Sequence, residues 1–185
     1  MKILAISNKP PKASIKSILN YQDLDLICLL GDLDLFSLSE LEFITKIPKI
    51  GVYGDKCSGT YFGKLGVEDL HLKTYKYNGI LFGGFQGSVI DGNSKPNSFT
   101  QEESIKLLKE FPRVDVMISH SPPYGINDNL KNSSELGFLG LRKYISEKSP
   151  RILIHGNDEP LGEFMVEIFE NTKIIYVRGE KLIEI

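Results

Sequence analysis

The chain has little of what marks several large protein classes. Two cysteines in 185 residues, Cys28 and Cys57, provide no disulfide framework and suit a reducing compartment. Acidic and basic residues nearly cancel, 24 against 22, with a pI near 6.0. That balance leaves no electrostatic footprint for duplex nucleic acid or an anionic membrane. No apolar run approaches membrane-spanning length, and the stretch Ile3 to Ile6 after Lys2 is too short for a signal sequence. Internal repeats, low-complexity tracts and linkers are missing as well. The expectation is one cytoplasmic domain over 1–185, whose partner is a small ligand or another protein, with no duplex nucleic acid and no membrane. A domain of this length buries roughly 70% of its unfolded surface without a covalent staple.

What is present is a short apolar run that recurs and stops abruptly in small or polar residues. Ile3 to Ile6 runs into Ser7-Asn8, Leu26 to Leu30 into Gly31-Asp32, and Ile50 to Tyr53 into Gly54-Asp55. Val114 to Ile118 runs into Ser119-His120, and Ile152 to Ile154 into His155-Gly156-Asn157-Asp158-Glu159. Such runs read as buried strands of an α/β sheet, and ligands in these sheets gather outside the strand ends. Five polar strand ends imply one composite site.

The intervening segments complete the pattern. Ile15, Ile18 and Leu19 share a helical face after Ser14, and Ser37 to Ile44 reads as a second helix with Ser37 or Ser39 as cap and Leu38, Leu41 and Phe43 or Ile44 inward. Strand, helix, strand, helix, strand predicts a parallel sheet. Asn78-Gly79 between Leu70–Tyr77 and Ile80–Phe82 is a strong hairpin signal. Ser88 to Thr100, rich in Gly, Asn, Ser and Pro, reads as a loop, and Thr100 with Glu103 forms a capping box for a helix through Glu110. A further helix spans about Phe138 to Lys148. Phe164–Phe169, Lys173–Val177 and Leu182–Ile185 read as an antiparallel meander. The sum is an α/β fold, a two-sheet mixed sandwich flanked by helices.

In this order, Gly31-Asp32, Gly54-Asp55-Lys56-Cys57, Gly83-Gly84, Ser119-His120 with Ser121 to Gly125, and His155-Gly156-Asn157-Asp158-Glu159 resemble the motifs of the calcineurin-like metallophosphoesterases. The resemblance covers nearly the whole chain. In that family the strand ends carry Asp-x-His, Gly-Asp, Gly-Asn-His, His and Gly-His-x-His, which hold two metal ions with the second-strand Asp bridging them. Two cations neutralise phosphoryl oxygens and activate water, which suits phosphoester hydrolysis.

The chain departs from this pattern at most of the chemistry. Asn8 and Pro10 stand where the first Asp and His are expected, and proline ligates nothing. Asp32 and His120 match. Asp55 replaces the ligating Asn, Lys56 the His that assists the leaving group, and Cys57 the acid behind it. Asn157 and Glu159 replace the final histidines. The resemblance thus implies a first metal position reduced to Asn8, Asp32 and Glu159, and a second that keeps Asp32, Asp55, His120 and Asn157. One oxygen-tolerant ion, Mn or Mg in preference to Zn or Fe, fits the second position; no ion at all is the alternative. Lys56 and His120 are the candidates for direct work on a phosphoester. Lys56 either stands in for a missing cation toward phosphate or neutralises Asp32 and Asp55 in a metal-free site. The resemblance implies two functions: a phosphoester hydrolase with a remodelled single-metal centre acting on a small phosphorylated ligand (a phosphomonoester, a phosphodiester or a nucleotide), or an inactive member that serves as a ligand-binding or protein-interaction scaffold. The simpler readings are that Asp32 caps a helix, that Asp55 and Glu159 are solvated loop carboxylates, and that Cys57 is an ordinary packed thiol.

Overall fold

The computed structural model describes residues 1–90, 95–132, 135–157 and 165–185. Strand β1 (Lys2–Ser7) leads through helix α1 (Ile15–Tyr21), β2 (Leu26–Leu29), a 3-10 turn (Ser39–Phe43), β3 (Lys49–Gly51) and the short α2 (Phe62–Leu65) to β4 (Glu68–Asp69). The hairpin of β5 (Thr74–Tyr77) and β6 (Ile80–Phe85) follows, then β7 (Ser88–Val89), β8 (Ser98–Phe99) and α3 (Gln101–Lys109). The chain ends with β9 (Val116–Ser119), α4 (Leu139–Lys148), β10 (Ile152–His155), β11 (Ile168–Phe169), β12 (Thr172–Tyr176) and β13 (Gly179–Glu184).

Two mixed sheets result, ordered β13-β1-β2-β3-β4 and β11-β12-β10-β9-β6-β5. Strands β1 to β4 are mutually parallel, as are β6, β9, β10 and β12, while β13, β5 and β11 pair antiparallel at the flanks. The apolar runs are continuous because both faces of each sheet are covered. Ile3, Ala5, Cys28 and Ile50 face Phe82, Val116, Ile118 and Ile154 across the space between the sheets. Leu4, Ile6, Ile27 and Leu29 point the other way, against Ile15, Leu38, Leu41 and Phe62. On the far side, Met117 and Leu153 pack on Leu108, Leu141 and Ile145 of the α3–α4 layer. The architecture is therefore helix, sheet, sheet, helix, the two-sheet α/β sandwich expected from the sequence.

Local chemistry accounts for the details. Ser14 caps α1 by accepting from Ser17 N–H, and the Thr100–Glu103 capping box is complete in both directions. Asn78 and Gly79 both adopt positive φ, 48° and 80°, as a tight hairpin turn requires. Four expectations are corrected. Ser37–Ile44 is only a 3-10 turn: Ser37 is drawn out of a capping role by its bonds to the Asp34 carboxylate, and the buried Lys49 ammonium takes the carbonyls of Leu41 and Ile44. Of the residues expected inward there, Leu38, Leu41 and Ile44 are buried, and Phe43 is exposed. The first hairpin strand shortens to Thr74–Tyr77, because Leu72 at φ 54° turns the chain after Leu70 has entered the core. Ser88 to Thr100 is not loop throughout, since β7 and β8 pair in parallel. The C-terminal segments form no meander. β11 and β12 pair antiparallel as expected, but between Tyr176 and Gly179 (φ 73°) the chain changes sheets, so β12 lies beside β10 and β13 beside β1.

Among the described residues no helix is long and apolar enough to cross a membrane. Ile118 lies between the sheets with no exposure, whereas Phe43 is 71% exposed. Ile118→Ala is expected to cost about 2–5 kcal/mol in urea unfolding, and Phe43→Ala, which loses only an exposed contact with the Lys16 ammonium, less than about 1 kcal/mol. Equal losses would contradict this layer assignment.

Candidate metal centre

The parallel strands deliver their C-terminal residues to one rim. β2 continues through Leu30 into Gly31 and Asp32, both at positive φ (89° and 54°), which folds the Asp32 side chain back over the strand ends. Aspartate tolerates this left-handed conformation better than most residues do. Gly31 and Gly54 make the approach of the two turns possible: a Cβ on Gly31 would sit 2.4 Å from Gly54 N, and one on Gly54 would sit 2.0 Å from Asp32 Oδ1. Cys57 ties the same turns from behind. Its sulfur accepts from Asp32 N–H (3.2 Å) and Gly54 N–H (3.3 Å), and it is buried. Cys57 is a packed thiol with a positioning task.

His120 directly follows β9 and has no exposure. Its Nδ1 donates to Leu30 carbonyl at 2.7 Å, which turns Nε2 toward the carboxylates. Nε2 lies 3.4 Å from Asp32 Oδ2 and 3.6 Å from Asp55 Oδ1. One ligand atom from each of Asp32, Asp55 and His120 lies within 4.8 Å of the others. Two of these atoms, Asp32 Oδ2 and His120 Nε2, are buried without a hydrogen-bond partner, because their contact is close but misaligned. Buried polar atoms left in this state are costly. Ligands about 2.1 Å from one ion stand roughly 3–4 Å apart, so the separations observed fit a shared cation.

Without an ion the centre is held by protein charges. Burial opposes the charged form of His120, but the two carboxylates outweigh it and raise its pKa to about 10. Burial likewise opposes ionisation of Asp32 and Asp55, yet His120, with the Lys56 N–H at Asp32 and the Lys95 ammonium at Asp55, holds both below the usual carboxylate range. Lys56 N–H donates to Asp32 Oδ1 at 3.0 Å, and its ammonium stands 3.7 Å from Asp32 Oδ2, an ion pair outside hydrogen-bond distance. Lys95 Nζ lies 3.3 Å from Asp55 Oδ2.

Two of the other expected residues, Asn8 and Asn157, sit on strand-end turns beside Asp32 and His120. Asn8, at φ 59°, lines a cleft of about 250 Å³ with Lys9, Asp32, Asp34, Lys56 and Arg178. Its Oδ1 accepts from the Ser7 hydroxyl at 2.6 Å. Asn157 is buried at φ 74° and donates to the Ser121 hydroxyl, next to His120. Glu159 lies outside the described residues. The sequence reading missed Lys95. It reaches the centre because its loop is laid on the β3 turn: Asn97 Nδ2 donates to Gly54 carbonyl and Gly87 N–H to Tyr53 carbonyl. A lone cation within the polar stretch Ser88 to Thr100 was the available signal.

His155 is a buried structural imidazole. Val166 N–H donates to Asn127 Oδ1, which orients the amide so that Nδ2 donates to Val166 carbonyl and to His155 Nε2. Nδ1 of His155 then donates to Gly156 carbonyl. His71 is also structural, accepting from Gln86 N–H and stacking on Phe99.

No protein-family model and no curated protein matches the sequence. Among solved structures, one crystal structure superposes with a TM-score of 0.65 at 14% identity, over 96% of this chain and 90% of its own. The protein TT1561 of Thermus thermophilus superposes with a TM-score of 0.59 at 16% identity, over 96% and 89%. At these identities the likeness establishes the fold.

The two buried histidines act on stability in opposite pH ranges. Burial lowers the His155 pKa from 6.5 to about 4, so its contribution is complete above pH 6.5 and is lost as pH falls toward 4, where the unfolded chain takes up the proton first. The His120 pKa is raised from 6.5 to about 10, so in metal-free protein its contribution is complete below 6.5 and is lost as pH rises through 10. Urea unfolding with chelator should show His155→Gln flattening the acid slope alone. An unchanged slope would mean that His155 titrates normally.

Proposed function

We propose that this chain is a divergent calcineurin-like metallophosphoesterase in which Asp32, Asp55 and His120 hold one divalent cation and the adjoining cleft takes a phosphorylated small ligand for phosphoester hydrolysis. The observation that carries this reading is the pair of buried ligand atoms without a hydrogen bond, Asp32 Oδ2 and His120 Nε2, facing Asp55 at coordination spacing. Two carboxylates and one imidazole favour Mn or Mg over Zn. When bound, such a cation supplies Lewis acidity and charge neutralisation to a phosphoryl group. The chain's own residues do the rest. Leu30 carbonyl fixes the His120 tautomer, so Nε2 presents its lone pair to the centre. Lys9, Lys56 and Arg178 line the cleft beside Asp32 and give a phosphoryl group cationic donors. Pro10 offers no ligand at the family's other metal position, so ordinary two-metal phosphodiesterase activity is expected to be absent or very low.

The second reading is a metal-free binding or scaffolding protein. It is favoured by one observation: Lys56, Lys95 and His120 already pair with the two carboxylates.

Metal analysis of protein purified without chelator and supplemented with manganese separates these readings. About one Mn per chain is expected, with the occupancy lost in Asp55→Asn and turnover of para-nitrophenyl phosphate lost in Asp32→Asn. No bound manganese would support the scaffold reading, and fast hydrolysis of the phosphodiester bis-para-nitrophenyl phosphate would show that the replaced ligands are dispensable.

A further inference from the structure

Asn8 follows β1 and lines the cleft with Asp32 and Lys56. What it offers there depends on which end of its amide faces the cleft: the carbonyl oxygen serves a cation, the NH2 group an anion. Ser7 decides the orientation. It is buried with no exposure, and its hydroxyl lies 2.6 Å from Asn8 Oδ1. That separation is ordinary for O–H···O and short for N–H···O, so the hydroxyl donates to the carbonyl end of the amide. Its other acceptor, the Leu30 carbonyl, stands at 3.4 Å, too far to compete for the one hydroxyl proton.

Both residues are held in place. A Cβ on Gly156 would sit 1.9 Å from Ser7 Oγ, so the turn after β10 closes over the hydroxyl. Asn8 N–H donates to Gly31 carbonyl at 3.1 Å, and Lys9 N–H to Ser7 carbonyl at 2.6 Å, with Asn8 at φ 59°. With Oδ1 engaged, Nδ2 is the end of the amide left to the cleft. It makes no hydrogen bond among the described residues and is not one of their buried unbonded polar atoms. Its N–H donors therefore face a space of about 250 Å³ that Lys9 and Ser58 also line.

We propose that Asn8 is a phosphoryl-binding residue and not a metal ligand: its amide N–H groups donate to an oxygen of a phosphoryl group in the cleft, and Ser7 is the positioning residue that aims them. A hydrogen bond to a charged oxygen is stronger than one to a neutral group, and an amide already held in the donating orientation loses little freedom on binding. The bond from Ser7 thus turns a position expected to ligate a cation into one that receives an anion. This inference rests on the reading of the cleft as a phosphoryl site and adds the residue that holds the group there; it does not require the cation.

The test titrates inorganic phosphate into the whole chain, with magnesium and separately with chelator, and follows the side-chain amide signal of Asn8 by NMR. A saturable shift of that signal is expected in the unaltered protein. Asn8→Gly keeps the left-handed backbone and removes the amide; it is expected to weaken phosphate binding about tenfold and to leave manganese affinity, measured by calorimetry without phosphate, unchanged. Ser7→Ala lets the amide turn and is expected to weaken phosphate binding about threefold, yet to cost nothing further when added to Asn8→Gly, a non-additivity that a merely structural serine would not show. Melting curves verify folding, and if a variant does not fold the signal of the unaltered protein decides. No saturable shift in either state, an unchanged phosphate affinity in folded Asn8→Gly, or a loss of its manganese affinity overturns the inference. Additive losses overturn the role of Ser7. Manganese bound with no phosphate effect at Asn8 leaves the cation reading standing, whereas a phosphate shift at Asn8 in protein that binds no manganese upholds this inference and overturns the cation reading alone.

Discussion

A buried imidazole held by a single carbonyl organises this protein's functional rim. Leu30 lies at the end of β2 in one sheet and His120 at the end of β9 in the other, and the 2.7 Å bond between them crosses the inter-sheet space. It fixes which ring nitrogen is protonated and aims the other at Asp32 and Asp55. With Nε2 deprotonated, three electron-rich atoms converge, an arrangement stable only around a cation. With Nε2 protonated, His120 becomes that cation. The same geometry could hold a metal ion or stand as a metal-free ion cluster.

The backbone accepts local cost to make this possible. Asn8, Asp32 and Asn157 all sit at positive φ at strand ends, where asparagine and aspartate are tolerated because their short polar side chains bond locally. Part of the reason for these residue types is therefore conformational. Asn8 Oδ1 accepts from the Ser7 hydroxyl and Asn157 Nδ2 donates to the Ser121 hydroxyl, so one amide atom of each is engaged locally. Asp32 is different, since its Oδ2 is buried without a hydrogen bond and faces the His120 imidazole at 3.4 Å. That asymmetry separates a candidate ligand from a turn residue in a series that looks uniform in sequence.

Cys57 and Lys49 illustrate how apparent chemistry becomes architecture. Cys57 next to Lys56 has the composition of a reactive thiol, yet its sulfur accepts two backbone N–H groups and lies buried. Lys49, buried at the start of β3, spends its ammonium on the carbonyls that end the 3-10 turn. The Leu41 carbonyl also accepts from Ile44 N–H, and the long flexible lysine adds a second donor there while reaching the Ile44 carbonyl as well.

The sequence by itself determined the layered fold and three of the ligand candidates. Apolar runs of strand length force both faces of a sheet to be covered, and Gly31-Asp32, Gly54-Asp55 and Ser119-His120 mark where those strands stop. The hairpin at Asn78-Gly79 and the capping box at Thr100 were equally legible, because their bonds close within four residues. Longer-range choices were not. The transfer of β13 to the first sheet depends on pairing with Lys2–Ser7, at the opposite end of the chain, and no local pattern encodes it. Lys95 joins Asp55 across 40 positions only because Asn97 anchors its loop on Gly54. Local periodicity records which face of an element is buried, whereas the partner of a charge is decided by packing among segments far apart in sequence, and for that reason only the tertiary structure placed the second lysine at the centre.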